Sequence, residues 1–208
     1  MVFEGLLELL APSRCAACDE VLVADESGFC GGCGLLIDGA ANGVLPPARS
    51  ASLHVYAGPL ADAIRRVKYD GRTDLVPALA ELMAAAAGAY GGLVDAVVPV
   101  PLHRRRLAER GFNQAVVIAR PLARALGVPL VVGRLVRVRP TRPQVGLDAE
   151  ARERNVRGAF RVRRAVSGRV LLVDDVWTTG ATLAEAARVL VDGGADVRTL
   201  TLARAPGR

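Results

Sequence analysis

The chain has 208 residues, of which 51% are apolar and only 4% aromatic, and it carries a formal charge of +6. That length can bury a full core and leaves room for a small appendage. A core of Val, Leu and Ala suits an α/β fold better than a sandwich or barrel, and no stretch has the bias of a disordered linker.

Residues 1–10 (MVFEGLLELL) have the pattern of a short amphipathic helix docked on the body. They carry two glutamates and no early basic residue, unlike the charged start of a secretory signal. The expectation is a cytoplasmic protein, where thiols stay reduced. All four cysteines follow before residue 34, and then come a Gly/Ala/Asn stretch at 39–43 and Pro46-Pro47. This composition shift places a domain boundary there: residues 1–45 form a small unit and 46–208 the main domain.

Past Ser50 the pattern alternates between helices and strands. Residues 59–68 (PLADAIRRVK) read as a helix with Leu60, Ile64 and Val67 on one face. Residues 73–89 read as a second, Ala-rich helix, and 94–100 (VDAVVPV) as a buried strand. Residues 113–126 read as a helix, bent or restarted near Pro121 and closed by Gly127. Residues 130–138 read as a strand. The polar, basic stretch 139–158 is too long for an ordinary connection and reads as a functional loop with some local structure. Strand 170–173, helix 181–191 and strand 197–203 complete a parallel sheet with helices on its faces. The longest apolar region, 75–100, is interrupted by Pro77, Glu81, Gly88, Gly91, Gly92 and Asp95, so it is no membrane span.

The basic residues are unevenly placed. Residues 134–169 hold 11 arginines against Asp148, Glu150 and Glu153. Such an excess suits a polyanion or a multiply phosphorylated ligand, although a solvated arginine face explains any single one as well. Of the 27 basic residues, only Lys68 is a lysine. An ammonium is a compact point charge with rotatable donors, not a planar fork, so position 68 is singled out. Chance survival of one surface lysine is the competing explanation.

Cys15-x-x-Cys18 and Cys30-x-x-Cys33 are separated by 11 residues. Two such knuckles can place four thiolates tetrahedrally around Zn²⁺. Four protein ligands leave no position for water, which makes the metal structural. Disulfides are the alternative, disfavoured in a reducing compartment.

The string VLLVDDVWTTGATL (residues 170–183) carries the chemistry. An apolar strand leads to Asp174 and Asp175, and ligands of open α/β sheets bind beyond the carboxyl ends of strands. The Thr/Gly turn then opens a helix, whose free N–H groups and positive dipole end suit a phosphate. Gly180 permits close backbone approach, and Thr178, Thr179 and Thr182 add hydroxyls. The adjacent carboxylates fit sugar hydroxyls or a divalent cation. Asp175 or Thr178 alone also fits an Asx turn or an N-cap; the whole string does not.

This string resembles the phosphoribosyl pyrophosphate (PRPP) signature of type I phosphoribosyltransferases. Three further segments, residues 64–71, 98–114 and 139–160, together with the paired CxxC, make the chain similar to the ComF family, associated with DNA uptake in competence. The resemblance implies a type I phosphoribosyltransferase-like parallel sheet with flanking helices, preceded by a zinc ribbon. It implies that Asp174 and Asp175 meet the ribose hydroxyls and that Thr178, Thr179, Gly180, Ala181 and Thr182 hold the 5-phosphate. It further implies a pyrophosphate loop at Pro101, Leu102 and His103, with Lys68, Arg104 and Arg110 adding charge and Mg²⁺ accompanying PRPP. Residues 139–158 resemble the mobile loop that covers PRPP in related enzymes.

Two functions follow from these expectations. One is phosphoribosyl transfer from PRPP to an unnamed acceptor. The other is a competence factor that binds single-stranded DNA, or partners in the DNA-uptake machinery, and keeps the fold without the reaction. Phe29, Tyr56 and Tyr69 are the aromatic candidates for base stacking.

Overall fold

Val170, Leu171, Leu172 and Val173 are each fully buried, and the strand they form organises the molecule. In a computed structural model that describes residues 12–38, 48–141 and 149–206, this strand lies inside a four-stranded parallel sheet. The strands are β1 (Ser50–Val55), β2 (Ala96–Pro99), β5 (Gly168–Trp177) and β6 (Ala195–Arg204), in the order β1-β6-β5-β2. A separate antiparallel pair joins β3 (Leu135–Arg137) to β4 (Phe160–Val162).

Alternation along β5 fixes the layers. Leu171 and Val173 pack on one face with α2 (Gly58–Tyr69), α3 (Val76–Ala84) and α6 (Gln114–Leu126). Val170 and Leu172 pack on the other with α8 (Ala181–Asp192) and the β3–β4 pair. Helix α2 starts on Pro59, whose fixed φ suits a first turn, and buries Leu60, Ala61, Ala63, Ile64 and Val67. Helix α6 is capped by Asn113, whose Oδ1 accepts from the Ala115 N–H at 3.0 Å, and ends on Gly127 in the left-handed region.

Several expectations change. The Ala-rich helix over 73–89 is three pieces: a 3₁₀ turn at Thr73–Leu75, then α3, then the short α4 (Ala87–Tyr90). Pro77 sits in the first turn of α3, where its fixed φ and missing N–H are tolerated, so α3 starts there as a separate helix. Helix α6 runs unbroken through Pro121, so it is not restarted there, and Ile118, Ala119, Leu122 and Ala123 on either side of the proline are buried. The strand expected over 130–138 shrinks to β3, with only a bridge from Leu130 to Val97 on the main sheet. The local structure expected in the loop at 139–158 is α7 (Ala149–Val156). Strand β5 runs on to Trp177, so Asp174 and Asp175 lie within it and not beyond its end. Two helices went unread: α1 (Gly31–Asp38), opening at the second cysteine pair, and α5 (Arg104–Arg110).

Cys15, Ala16, Phe29 and Ile37 share one continuous core with Leu60, Ile64 and Val67. The helix expected over 1–10 and the boundary markers at 39–47 lie outside the described residues. Among the described residues no helix is long and apolar enough to cross a membrane.

Candidate functional site

A cleft of about 280 Å³ opens where β2 and β5 end. Asp174 and Asp175 line it together with Lys68 from α2 and with Arg106, Arg110 and Arg137. Lys68 Nζ lies 2.8 Å from Asp175 Oδ2, and both side chains are nearly buried. Burial works against the Lys68 charge, but the Asp175 carboxylate outweighs it and holds the lysine pKa above its ordinary value. Asp174 feels burial first and the charge of Asp175 second; despite Lys68, its carboxyl is pushed up to about 7. Its Oδ1 accepts from the Asp175 N–H at 2.9 Å. One carboxylate is therefore neutralised by a lysine, while its neighbour is poised between charge states near neutrality.

The turn after β5 is shaped by one glycine. Gly180 has φ +80°, and a Cβ there would sit 2.4 Å from the Trp177 ring. No other residue type combines that backbone conformation with that lack of space. Trp177 is in turn faced by the Arg204 guanidinium, 5.0 Å from the ring centroid. The turn divides its residues: Thr178 and Thr182 line the Asp174–Asp175 cleft, while Thr179, Gly180 and Ala181 line a second cavity of about 270 Å³ with Arg157 and Arg188.

After β2, Pro101 and Leu102 line the cleft, and the Val100 N–H is bound to the Val173 carbonyl at 2.8 Å. His103 is buried and caps α5: its Nδ1 accepts from the Arg105 N–H at 3.3 Å. Burial, then Arg104, Arg137 and Arg105, depress its pKa, which makes it a neutral structural cap and not a charged ligand group. His103 instead lines an adjoining cavity with Arg105, Arg106, Arg137 and Thr141. Arg104 is exposed and lines neither space. Arg110 reaches the cleft and donates to Gln114 Oε1 at 2.5 Å.

Arg137 was not legible as a site residue. Its guanidinium stacks 5.3 Å from the Phe160 ring centroid, donates to Thr141 Oγ1 at 2.5 Å and borders both cavities. Burial lowers its pKa, opposed by the charge of Asp174. Tyr56 and Tyr69 also line the cleft. Phe29, the third aromatic candidate, is buried in the core.

The four cysteine Sγ atoms lie within 4.8 Å of one another. Cys18 and Cys30 are 3.8 Å apart at sulfur. A tetrahedral site with Zn–S bonds of about 2.3 Å has edges of about 3.8 Å, so this spacing fits a four-thiolate metal site. Burial opposes ionisation of Cys15, but N–H groups of Cys18, Cys30 and Ala17 outweigh it and bring the thiol down to about 7. Burial and the neighbouring sulfurs push Cys33 up, a mutual opposition that a divalent cation would relieve.

Residues 113–208 match the phosphoribosyl transferase domain family. The chain is 36% identical over 194 residues to the DNA utilization protein YhgH of Escherichia coli K12, spanning 87% of this chain and 85% of that one. Competence protein F of Haemophilus influenzae is 36% identical over 162 residues, 72% of this chain and 70% of that one. The chain belongs to the ComF family. A ComF-family protein thus carries the phosphoribosyltransferase fold, a parallel sheet with flanking helices, behind a four-cysteine cluster. Among solved structures, the orotate phosphoribosyltransferase of Aeropyrum pernix is 24% identical, with a TM-score of 0.41 over 68% of this chain and 64% of that one.

Proposed function

We propose that this protein binds PRPP with Mg²⁺ and transfers its phosphoribosyl group to an acceptor in a process linked to DNA uptake. The observation that carries this reading is the meeting of Asp174, Asp175 and Lys68 with Thr178, Thr182, Arg106, Arg110 and Arg137 in one cleft. Two carboxylates suit the vicinal hydroxyls of a ribose, and the surrounding cations suit a diphosphate. Thr178 and Thr182, at the start of α8, suit the 5-phosphate, with the backbone of Thr179, Gly180 and Ala181 as further donors.

Asp174 is the carboxylate that Lys68 leaves available, and a hard cation such as Mg²⁺ would bind there with the diphosphate oxygens. Mg²⁺ would neutralise the leaving pyrophosphate. The protein's own groups orient and neutralise: the aspartates fix the ribose, and Arg106, Arg110 and Arg137 face the departing charge. His103, a neutral helix cap that lines the adjoining cavity, carries no role in this transfer. The cysteine cluster holds structural Zn²⁺ through Cys15, Cys18, Cys30 and Cys33, in a unit spanning 1–45 that serves a main domain of 46–208. A reduced thiol cluster with that role belongs in the cytoplasm.

Calorimetry with PRPP and Mg²⁺ tests the reading, on wild type and on Asp174→Asn/Asp175→Asn, followed by pyrophosphate release with candidate acceptors. Wild type should bind and the double variant should not. Absence of binding by wild type refutes the assignment. The names of the two relatives favour a second reading, a single-stranded-DNA-binding competence factor that retains the fold. Gel shifts across a salt series test it, because phosphate contacts weaken steeply with salt.

A further inference from the structure

We infer that Asp19 is a positioning residue for Lys68, so that the cysteine cluster and the cleft are mechanically coupled. The inference deepens the PRPP reading and rests on it for its effect on ligand binding. Among the described residues Asp19 is the one non-glycine with positive φ, at +64°. It directly follows Cys18, and its N–H donates to the Cys15 carbonyl at 3.0 Å, so its backbone is part of the first knuckle. Glycine would meet that conformation without strain. The carboxylate at this position does something a glycine cannot.

It accepts hydrogen bonds from Arg66 Nη2 and, at 3.0 Å, from Arg72 Nη1. Those two donors bracket the segment that bears Lys68. Arg72 is also forked onto Asp74, through Nε at 3.0 Å and Nη2 at 2.9 Å, and its N–H reaches the Arg66 carbonyl. Arg66 and Lys68 are two positions apart on α2, about 200° around the helix axis. Arg66 therefore faces the knuckle while Lys68 faces the cleft. The last turn of α2 is held between two carboxylates, Asp19 on one side and Asp175 on the other.

The knuckle is seated on the main domain through a neighbouring segment: Ala16 N–H donates to the Gly28 carbonyl at 2.8 Å, a Cβ on Gly28 would come within 2.6 Å of Ala78, and Ser27 Oγ donates to Glu81 at 3.0 Å. A metal that fixes Cys15 and Cys18 thus fixes Asp19, then Arg66 and Arg72, and so the seat of Lys68. Loss of the metal frees that turn and loosens the ammonium from Asp175.

Lys68 is the only lysine in the chain, so the rate of amine acylation at residue 68, read by peptide mass spectrometry, reports its seat without any ligand. Asp19→Asn keeps the shape and the tolerance for positive φ but removes the charge; Asp19→Gly removes the strain as well. Both should keep their full zinc content and show Lys68 acylated severalfold faster. Chelation should accelerate acylation severalfold in wild type and add little in Asp19→Asn. PRPP affinity, by calorimetry, should fall severalfold in parallel. Unchanged Lys68 reactivity in both zinc-loaded variants overturns the coupling, as does an equal effect of chelation in wild type and Asp19→Asn. Altered reactivity with no PRPP binding by wild type upholds the coupling and refutes only the ligand assignment.

Discussion

Replacing Lys68 by Met tests the electrostatic core of the cleft. The substitution keeps the length of the side chain and removes the ammonium that pairs with Asp175 at 2.8 Å. Breaking a buried ion pair by deleting one partner costs about 3–5 kcal/mol. The side chains here are 17% and 10% exposed, so some solvent screening remains and the lower end of about 3 kcal/mol applies. For a chain of this size that is a fall in Tm of roughly 6–12 °C. The sign of the pH dependence follows from Asp174. Its carboxyl in the folded state is raised above the ordinary 3.8 to about 7, so the folded chain takes up a proton before the unfolded chain does. Stability from this group therefore rises as pH falls through 7. Without Lys68 that proton is taken up at still higher pH. The deficit of Lys68→Met should narrow between pH 9 and pH 6, by about 1.4 kcal/mol for each unit the site has moved. Urea unfolding at the two pH values measures it. A deficit that is equal at both, or absent, refutes the reasoning.

Gly180→Ala should cost about 1–3 kcal/mol for its backbone conformation and about as much again for its collision with Trp177. Thermal scanning of this variant, and of its combination with Trp177→Ala, should show recovery of the steric part alone. Affinity for PRPP and Mg²⁺ should climb as pH rises through about 7, where Asp174 ionises, and level off above it; a flat calorimetric profile between pH 5.5 and 8.5 contradicts the role given to Asp174. Metal analysis should find one zinc per chain, and chelation or Cys30→Ser should lower the Tm, since the cysteine segment shares its core with α2. Equal stability with and without metal would remove the structural role of the site.

The strongly patterned parts of this fold were legible. The apolar run at 170–173 announced β5, the largely apolar stretches 94–100 and 197–203 announced β2 and β6, and the i, i+4 spacing of Leu60 and Ile64 announced α2. Strand β1 was not legible as a strand because its sequence is SASLHV. Its serines are acceptable inside only because Ser50 and Ser52 hydrogen-bond Thr199 and Thr201 of β6, each at 2.6 Å, and no local window contains that partner. Arg137 was missed for a similar reason. As one arginine among many, it is set apart only by the Phe160 ring and by Thr141, which the β3–β4 pairing brings to it. At the site, the motif 174–182 could be read as one cluster, but the folding of the turn around Trp177 points its residues into two different cavities. His103 has a residue type that suggests catalysis and a position that assigns it to a helix cap.

The Ser–Thr ladder between β1 and β6 also bears on how the chain is made. Its partners are separated by 149 residues. At about 5–20 residues per second of synthesis, β1 leaves the ribosome roughly 7–30 s before the strand that completes its pairing. During that interval its hydroxyls and backbone edge lack their partners, and the sheet closes only once β6 has been made. Because β6 lies between β1 and β5, a deletion of β6 would leave β1 without its only strand partner in this sheet.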